Sequence, residues 1–109
     1  MEVISSVYQL TVFLASLSKK DSLGFIPTMG ALHKGHASLI KKSLSQNTHS
    51  ICSIFVNPAQ FNNKTDFKTY PNRLDEDISL LKKIGCNAVF TPSQETIYPN
   101  GVPSCVFDF

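Results

Sequence analysis

The chain has 109 residues, of which 42% are hydrophobic and 17% charged, a composition that predicts one folded domain, or part of one, and argues against intrinsic disorder. The formal net charge of +2 is too small, and the basic residues are too scattered, for a nucleic-acid-binding protein. No apolar run approaches the roughly 18 residues of a membrane-spanning helix, and no basic leader precedes the apolar stretch that begins at Val7, so we expect a cytoplasmic protein without membrane contact.

The first half of the chain predicts alternating helices and strands. Apolar residues at helical spacing predict a helix over roughly residues 5–19, and a strand follows at Leu23–Pro27. A second helix covers Ala37–Leu44, and the nearly continuous apolar run Ser50–Val56 predicts a strand buried on both faces, as in parallel sheets. The residues assigned to the buried faces of these two helices are Val7, Leu10, Leu14, Leu17, Ala37, Leu39, Ile40 and Leu44.

The second half of the chain continues the alternation. The polar stretch 62–68 predicts a loop. A third helix begins near Pro71 and ends at Gly85, with acids in its first turns and lysines in its last turn, as the helix dipole favours. The remaining predicted elements are a strand at Asn87–Thr91, a turn at Pro99–Gly101 and a strand at Ser104–Phe109.

This order of elements predicts an α/β fold with a Rossmann-like open parallel sheet flanked by helices. Right-handed crossovers bring the carboxyl ends of all the strands to one edge, where such sheets bind ligands. The polar segments that would meet there are Thr28-Met29-Gly30, Asn57-Pro58-Ala59-Gln60 and Thr91-Pro92.

The cysteines and histidines do not predict a metal site. Cys52, Cys86 and Cys105 are far apart, odd in number and form no Cys-x-x-Cys pair, so we expect buried free thiols in a reducing cytosol. A zinc site that combined them with the histidines would lack the usual ligand spacing.

The most informative segment leads from a strand through a tight turn into the second helix and carries His33 and His36 in the first helical turn. Backbone N–H groups at a helix N-terminus attract phosphate. Residues three apart share a helix face, so both imidazoles can address one phosphate. Gly35 removes a side chain that would hold the phosphate at a distance. The segment therefore predicts an ATP-handling site.

Several stretches of the chain carry a family resemblance: Ile26–His36, Phe55–Phe61 and Tyr70–Asp77, with a weaker match in Phe90–Pro92 and Ile97–Pro99. In this order they resemble the pantothenate synthetases (pantoate–β-alanine ligases), a family of the nucleotidylyltransferase superfamily. His-x-Gly-His alone is shared by many adenylating enzymes. It leaves open another nucleotidylyltransferase, such as a cytidylyltransferase or an aminoacyl-tRNA synthetase-like protein, or a non-catalytic binding or assembly module that kept the fold.

The resemblance implies an ATP-dependent ligase that joins pantoate to β-alanine through a pantoyl adenylate and releases AMP and pyrophosphate. ATP would enter with Mg²⁺, which phosphates and water hold rather than a dedicated protein cage. The family also implies a homodimer.

The resemblance further implies roles for individual residues. His36 would be the proton donor, and His33 its companion on the nucleotide phosphates. Asp77 belongs to an acidic stretch that could touch a metal, but acids in a first helical turn already have a structural reason, so no metal ligand is assigned. The implied ATP-binding residues are Met29, Gly30, Ala31, Leu32, His33, Lys34, Gly35 and His36. The implied pantoate and β-alanine residues are Gln60, Pro27, Thr28, Asn57 and Phe61.

Members of the family run to well over twice this length. The resemblance therefore makes residues 1–109 an amino-terminal Rossmann-like domain with an incomplete sheet, without the carboxy-terminal domain and the later phosphate-clamping loop. We expect these 109 residues alone to bind ATP poorly and to make no pantothenate.

Overall fold

The computed structural model describes residues 1–61, 64–70 and 72–100, with the backbone alone of Gln60, Lys64 and Phe67. In this part of the chain the strands form one sheet, and all of its pairings are parallel, which confirms the predicted α/β fold with an open, Rossmann-like sheet. The strand order is β1-β4-β3-β2. The strands are β1 at Glu2–Ile4, β2 at Leu23–Thr28, β3 at His49–Ile54 and β4 at Ala88–Phe90.

Helices cover the sheet on both faces, and within the described ranges none is long and apolar enough to cross a bilayer. A single-turn 3₁₀ helix at Pro58–Gln60 follows β3. The α-helices are α1 at Val7–Ala15, α2 at Lys34–Gln46, α3 at Lys64–Thr69, α4 at Leu74–Ile84 and α5 at Gln94–Ile97.

Strand β3 divides the core into two layers because its successive side chains point to opposite faces. Ile51 faces α1, and the cluster there is completed by residues of β1, α1 and β4. Cys52 and Ile54 face α2 and α4. The buried residues of the first cluster are Ile4, Phe13, Ile51, Ala88 and Phe90. Those of the second are Ile40, Cys52, Ile54, Leu81, Cys86 and Val89.

The prediction of buried free thiols is confirmed for Cys52 and Cys86. Burial raises the pKa of Cys52 to about 12 and also raises the pKa of Cys86. Both side chains therefore remain protonated at neutral pH and behave as small core residues. Cys105 lies outside the described residues, as do Pro71, Gly101 and the predicted strand Ser104–Phe109.

Two predictions of buried helix faces were partly wrong. The buried stripe of α1 is Phe13 with the half-buried Leu10, continued after the helix by the half-buried Leu17, whereas Val7 and Leu14 are exposed. Both stripes have helical spacing, so the sequence did not distinguish them; packing against the sheet selected the one that holds the larger phenyl ring. In α2 Ile40 is fully buried, but its neighbour Leu39 is 57% exposed.

The loop predicted over 62–68 was wrong in the described residues, since Lys64–Thr69 is the helix α3. Its six residues are mostly polar and carry no apolar stripe, so no periodic signal marks it. Strand β1 and helix α5 were also not predicted. Each has three or four residues, which is too short for a pattern to show.

The contrast between Ile40 and Leu39 tests this packing. In the complete gene product, Ile40→Ala should lower the free energy of unfolding by about 2–5 kcal/mol because it leaves a cavity between α2 and the sheet. Leu39→Ala, in the same turn of the same helix, should change it by less than about 0.5 kcal/mol. Urea denaturation of both variants measures the difference, and equal losses would contradict the assigned orientation of α2.

Candidate active site

The turn between β2 and α2 lies at the carboxyl edge of the sheet. Thr28, the last residue of β2, donates a hydrogen bond from Oγ1 to the carbonyl of Ser53 (3.0 Å) and accepts one from the amide of Gly30 (3.2 Å). The hydroxyl thus joins the end of β2 to β3 and to the start of the turn.

The turn continues through two residues with positive φ, Gly30 at 83° and Ala31 at 51°. At Gly30 a Cβ atom would lie 3.1 Å from Oδ2 of Asp77 and 3.2 Å from Cγ2 of Ile54, so both backbone conformation and space favour glycine. Ala31 has no such freedom, and a non-glycine residue at positive φ persists only where its surroundings hold it.

A buried carboxylate holds this turn. Asp77, in the first turn of α4 and only 4% exposed, accepts hydrogen bonds from the amide of Ala31 (3.0 Å) and from that of Leu32 (2.9 Å). Each oxygen takes one amide, which compensates the burial of a polar group. The acid that the resemblance associated with a metal therefore has a structural function: it fixes the backbone immediately before His33.

His33 and His36 are brought together by reciprocal capping of α2. His33 is the N-cap, and its Nδ1 accepts from the amide of Gly35 (3.0 Å). His36 stands at the third helical position, and its Nδ1 accepts from the amide of His33 (3.2 Å). The two ring centroids are 4.2 Å apart. The predicted convergence of the two imidazoles is confirmed, although His33 precedes the helix rather than lying in its first turn.

These contacts determine the tautomers. A backbone N–H can only donate, so each Nδ1 is an unprotonated acceptor, and a neutral ring carries its proton on Nε2. Burial, followed by the neighbouring His33, lowers the pKa of His36, while the Asp77 carboxylate acts in the opposite direction. At neutral pH His36 therefore offers a neutral Nε2–H donor.

Gly35 has a structural role at the start of α2, besides the close approach of phosphate that the sequence predicts. A Cβ atom at this position would lie 2.8 Å from Cε1 and 3.1 Å from Nδ1 of His33. The glycine therefore makes room for the His33 ring to fold back over the helix terminus.

A cleft of about 540 Å³ opens in front of this turn, within the size range of small-molecule sites. Most of the predicted site residues line it, and they come from two strand ends and the start of α2. The lining residues that the sequence predicted are Pro27, Thr28, Met29, Gly30, Ala31, His33, His36 and Asn57.

Four predicted residues do not line the cleft. The amides of Leu32 and Gly35 are bonded to Asp77 and His33, so these residues support the turn. Lys34 is exposed at the first position of α2. Phe61 packs edge-on against the ring of Tyr70, a residue of the cleft wall, with centroids 5.6 Å apart.

The side chain of Gln60, predicted to bind substrate, lies outside the described part of the chain, and only its backbone is placed, in the 3₁₀ helix after β3. The neighbouring Asn57 is the N-cap of this 3₁₀ helix, and its Oδ1 accepts from the amide of Ala59 (3.0 Å).

Ser53, Phe55 and Tyr70 line the cleft without having been predicted. Phe55 and Tyr70 also line a neighbouring cleft of about 470 Å³ and so form the wall between the two. Ser53 and Phe55 could have been found from their position at the end of β3. Tyr70 follows α3, a helix that the sequence did not reveal.

The described residues contain no group of three or more histidine, cysteine or acidic side chains that could hold a metal ion. Asp77 does not fit the role of a metal ligand here because it is buried and both of its oxygens accept amide hydrogens.

Comparison with known proteins shows which family this chain is similar to. The Pantoate-beta-alanine ligase family model matches residues 2–107. Pantothenate synthetases of Francisella tularensis subsp. novicida and Francisella philomiragia are similar, with 50% and 48% identity over 101 residues. Each alignment covers 93% of this chain and 39% of the relative, so the chain spans well under half the length of these proteins.

Solved structures show the same similarity. The crystal structure of pantoate-beta-alanine ligase from Francisella tularensis, complexed with beta-gamma ATP and beta-alanine, superposes with a TM-score of 0.90 at 50% identity and covers 93% of this chain and 39% of that one. Pantothenate synthetase from Thermus thermophilus gives a TM-score of 0.83 at 38% identity, covering 95% of this chain and 36% of that one.

The Asp77 contacts generate a prediction. Asp77→Asn keeps the shape but sets an NH₂ group against an amide donor, so the free energy of unfolding should fall by about 1–3 kcal/mol. Loss of the negative charge should also lower the pKa of His36 further, which NMR titration of the ring measures. Asp75→Asn, an exposed acid in the same helical turn, should change the stability by less than about 1 kcal/mol and serves as the control. An unchanged or higher His36 pKa in Asp77→Asn would contradict the assignment.

Proposed function

The chain belongs to the pantoate–β-alanine ligase family, and from that premise we propose that the protein condenses pantoate with β-alanine, using ATP and releasing AMP and pyrophosphate. The observation that carries this proposal is the pair of histidines at the start of α2, both lining a cleft at the carboxyl edge of a parallel sheet. The similar Francisella tularensis enzyme was crystallised with beta-gamma ATP and beta-alanine, which supports these two ligands.

The proposed reaction has two steps. The pantoate carboxylate attacks the α-phosphorus of ATP; a P–O bond forms to the carboxylate, the bond to the bridging oxygen breaks, and pyrophosphate leaves. The β-alanine amine then attacks the carbonyl of pantoyl adenylate, loses a proton, and AMP leaves. Neither step needs a covalent bond to the protein, so positioning and charge neutralisation at phosphate supply the catalysis.

Within this reaction we propose that His36 and His33 donate from Nε2 to phosphate oxygens. Their Nδ1 atoms are already bonded to backbone amides, so each ring is oriented before the nucleotide arrives and only its Nε2 side is available. A preoriented donor needs no reorganisation as charge develops on phosphate. His36 thus acts as a neutral hydrogen-bond donor, not as an imidazolium.

We assign the nucleotide side of the site to the segment Met29–His36 and the pantoate and β-alanine side to the β3 end. Pro27, Thr28 and Asn57 line the cleft and are proposed to contact pantoate directly. Gln60 is proposed to bind the pantoate hydroxyls, from a position one 3₁₀ turn after β3.

The remaining features of the proposal rest on the family alone. Mg²⁺ is proposed to arrive with the ATP, held by phosphates and water. A homodimer and a cytoplasmic location are proposed as well. Because the relatives extend far beyond the aligned part, residues 1–109 are proposed to form the histidine side of the site and to be inactive when tested alone.

The function is tested by measuring pyrophosphate release by the complete gene product with ATP, Mg²⁺ and pantoate. Release should require pantoate, and pantothenate should appear when β-alanine is added. The same assay with CTP in place of ATP separates a cytidylyltransferase. Pantoate-independent release would contradict the proposal. So would a protein that oligomerises in a size measurement but binds neither ATP nor pantoate in calorimetry.

The histidine role is tested by His36→Gln. Glutamine at the third helical position still accepts from the amide of residue 33, so the fold should remain, but the Nε2–H donor is lost. We expect kcat for pantoate-dependent pyrophosphate release to fall at least about 100-fold. His49→Gln, which alters a histidine paired with Asp21 at the opposite end of β3, should leave the rate unchanged. A normal rate in His36→Gln would contradict the assigned role.

The same variant tests the pH dependence. The pKa of His36 in the folded state is below its ordinary value of 6.5. Neutral His36 therefore contributes its full stabilisation above the ordinary pKa of 6.5. This stabilisation is lost as the pH falls from that value through the lower pKa of the folded state, because the unfolded chain binds the proton more readily. Between about pH 7.5 and about pH 5 the wild type should lose more of its free energy of unfolding than His36→Gln does. Equal losses in urea denaturation would contradict this linkage.

A further inference from the structure

Asn57 lines the cleft three residues after the end of β3. Its side-chain amide has an oxygen that only accepts and a nitrogen that only donates, so its orientation decides which ligand atoms it can bind. Amide orientation is an inference from hydrogen-bond partners. At Asn57 two partners determine it.

The first partner is the amide of Ala59, which donates to Oδ1 of Asn57 at 3.0 Å. A backbone N–H cannot accept, so the atom that it faces must be the oxygen. The second partner is the hydroxyl of Tyr98, 2.7 Å from the same oxygen and 41 positions away in the sequence. Since that oxygen has no hydrogen, the tyrosine hydroxyl is the donor.

These two contacts occupy Oδ1 and leave Nδ2 for another acceptor. Within residues 1–61, 64–70 and 72–100, no protein group accepts from Nδ2 of Asn57. The half-buried residue Asn57 therefore has its acceptor oxygen satisfied by protein, while its donor nitrogen has no protein partner among the described residues.

Tyr98 is itself held independently of its hydroxyl. Its backbone amide, directly after α5, donates to the carbonyl of Gln94 (2.7 Å). The centroid of its ring lies 6.4 Å from the ring centroid of Phe55, another residue of the cleft wall. Removing the hydroxyl therefore leaves the backbone contact and the ring packing in place.

We propose that Tyr98 is a positioning residue that holds Asn57 with Nδ2 towards the cleft, so that Asn57 donates a hydrogen bond to an oxygen atom of the acid substrate. This inference rests on the proposed function, in which that substrate is pantoate. A carboxylate oxygen can only accept, so a fixed donor selects for it, and a freely turning amide would present the wrong end for part of the time.

Tyr98→Phe in the complete gene product tests the inference. The value of kcat/KM for pantoate should fall about 5- to 10-fold, as expected for one hydrogen bond. The loss should reside in KM for pantoate, with KM for ATP changed less than about twofold. Tyr8→Phe removes the hydroxyl of a tyrosine that is 77% exposed on α1 and should leave all constants unchanged.

A double-mutant cycle with Asn57→Asp separates positioning from packing. Aspartate still accepts from Ala59 and Tyr98 but has no Nδ2–H to be positioned. In this background Tyr98→Phe should reduce kcat/KM less than about twofold. The same 5- to 10-fold loss in both backgrounds would show that Tyr98 acts through packing alone and would overturn the inference.

A measurement without ligand keeps the inference distinct from the proposed function. The heteronuclear ¹⁵N NOE of the Asn57 side-chain amide should be as high as that of the backbone in the wild type and should fall in Tyr98→Phe. If wild type releases no pantoate-dependent pyrophosphate, the proposed function fails, and this NOE decides the positioning role by itself. An NOE that is low in wild type, or unchanged in Tyr98→Phe, overturns the inference.

Discussion

The site depends on one buried carboxylate. Asp77 of α4 binds two successive amides of the turn between β2 and α2, and one of them belongs to Ala31, a residue at positive φ. A non-glycine residue at positive φ is strained and needs contacts from its surroundings. A buried carboxylate in turn needs hydrogen bonds to both oxygens, so the turn and Asp77 stabilise each other. Because His33 follows Leu32 directly, the same contact determines where the capping histidines begin.

The capping histidines combine a structural and a chemical function. Their Nδ1 atoms bond the first amides of α2, which begins the helix and selects the Nε2–H tautomer in both rings. Each ring is thereby fixed in orientation, and both residues line the cleft. A helix cap made from serine or aspartate would satisfy the same amides but would offer no second polar atom on a rigid ring. The local geometry therefore links the start of α2 to the proposed contact with phosphate.

The sequence predicted the order of the main elements and most of the cleft because these features are local. Strand β3 is a continuous apolar run, α4 carries an apolar stripe and ends at Gly85 with φ of 96°, and the polar residues after β2 and β3 meet at one edge as parallel pairing requires. Short polar elements were missed because six or fewer residues carry no periodicity. For this reason α3, and with it the cleft residue Tyr70, was not foreseen.

Residue type and spacing alone thus determined that a strand leads through a tight turn into a helix whose start carries two histidines. The sequence determines this part because its contacts join residues only a few positions apart. Only the tertiary structure decided the function of Asp77, which bonds amides 46 and 45 positions away, and the orientation of Asn57, which the hydroxyl of Tyr98 sets from 41 positions away. Such contacts depend on how α4 and α5 dock against the sheet, and no pattern along the chain specifies which of several acids or tyrosines will reach a given atom.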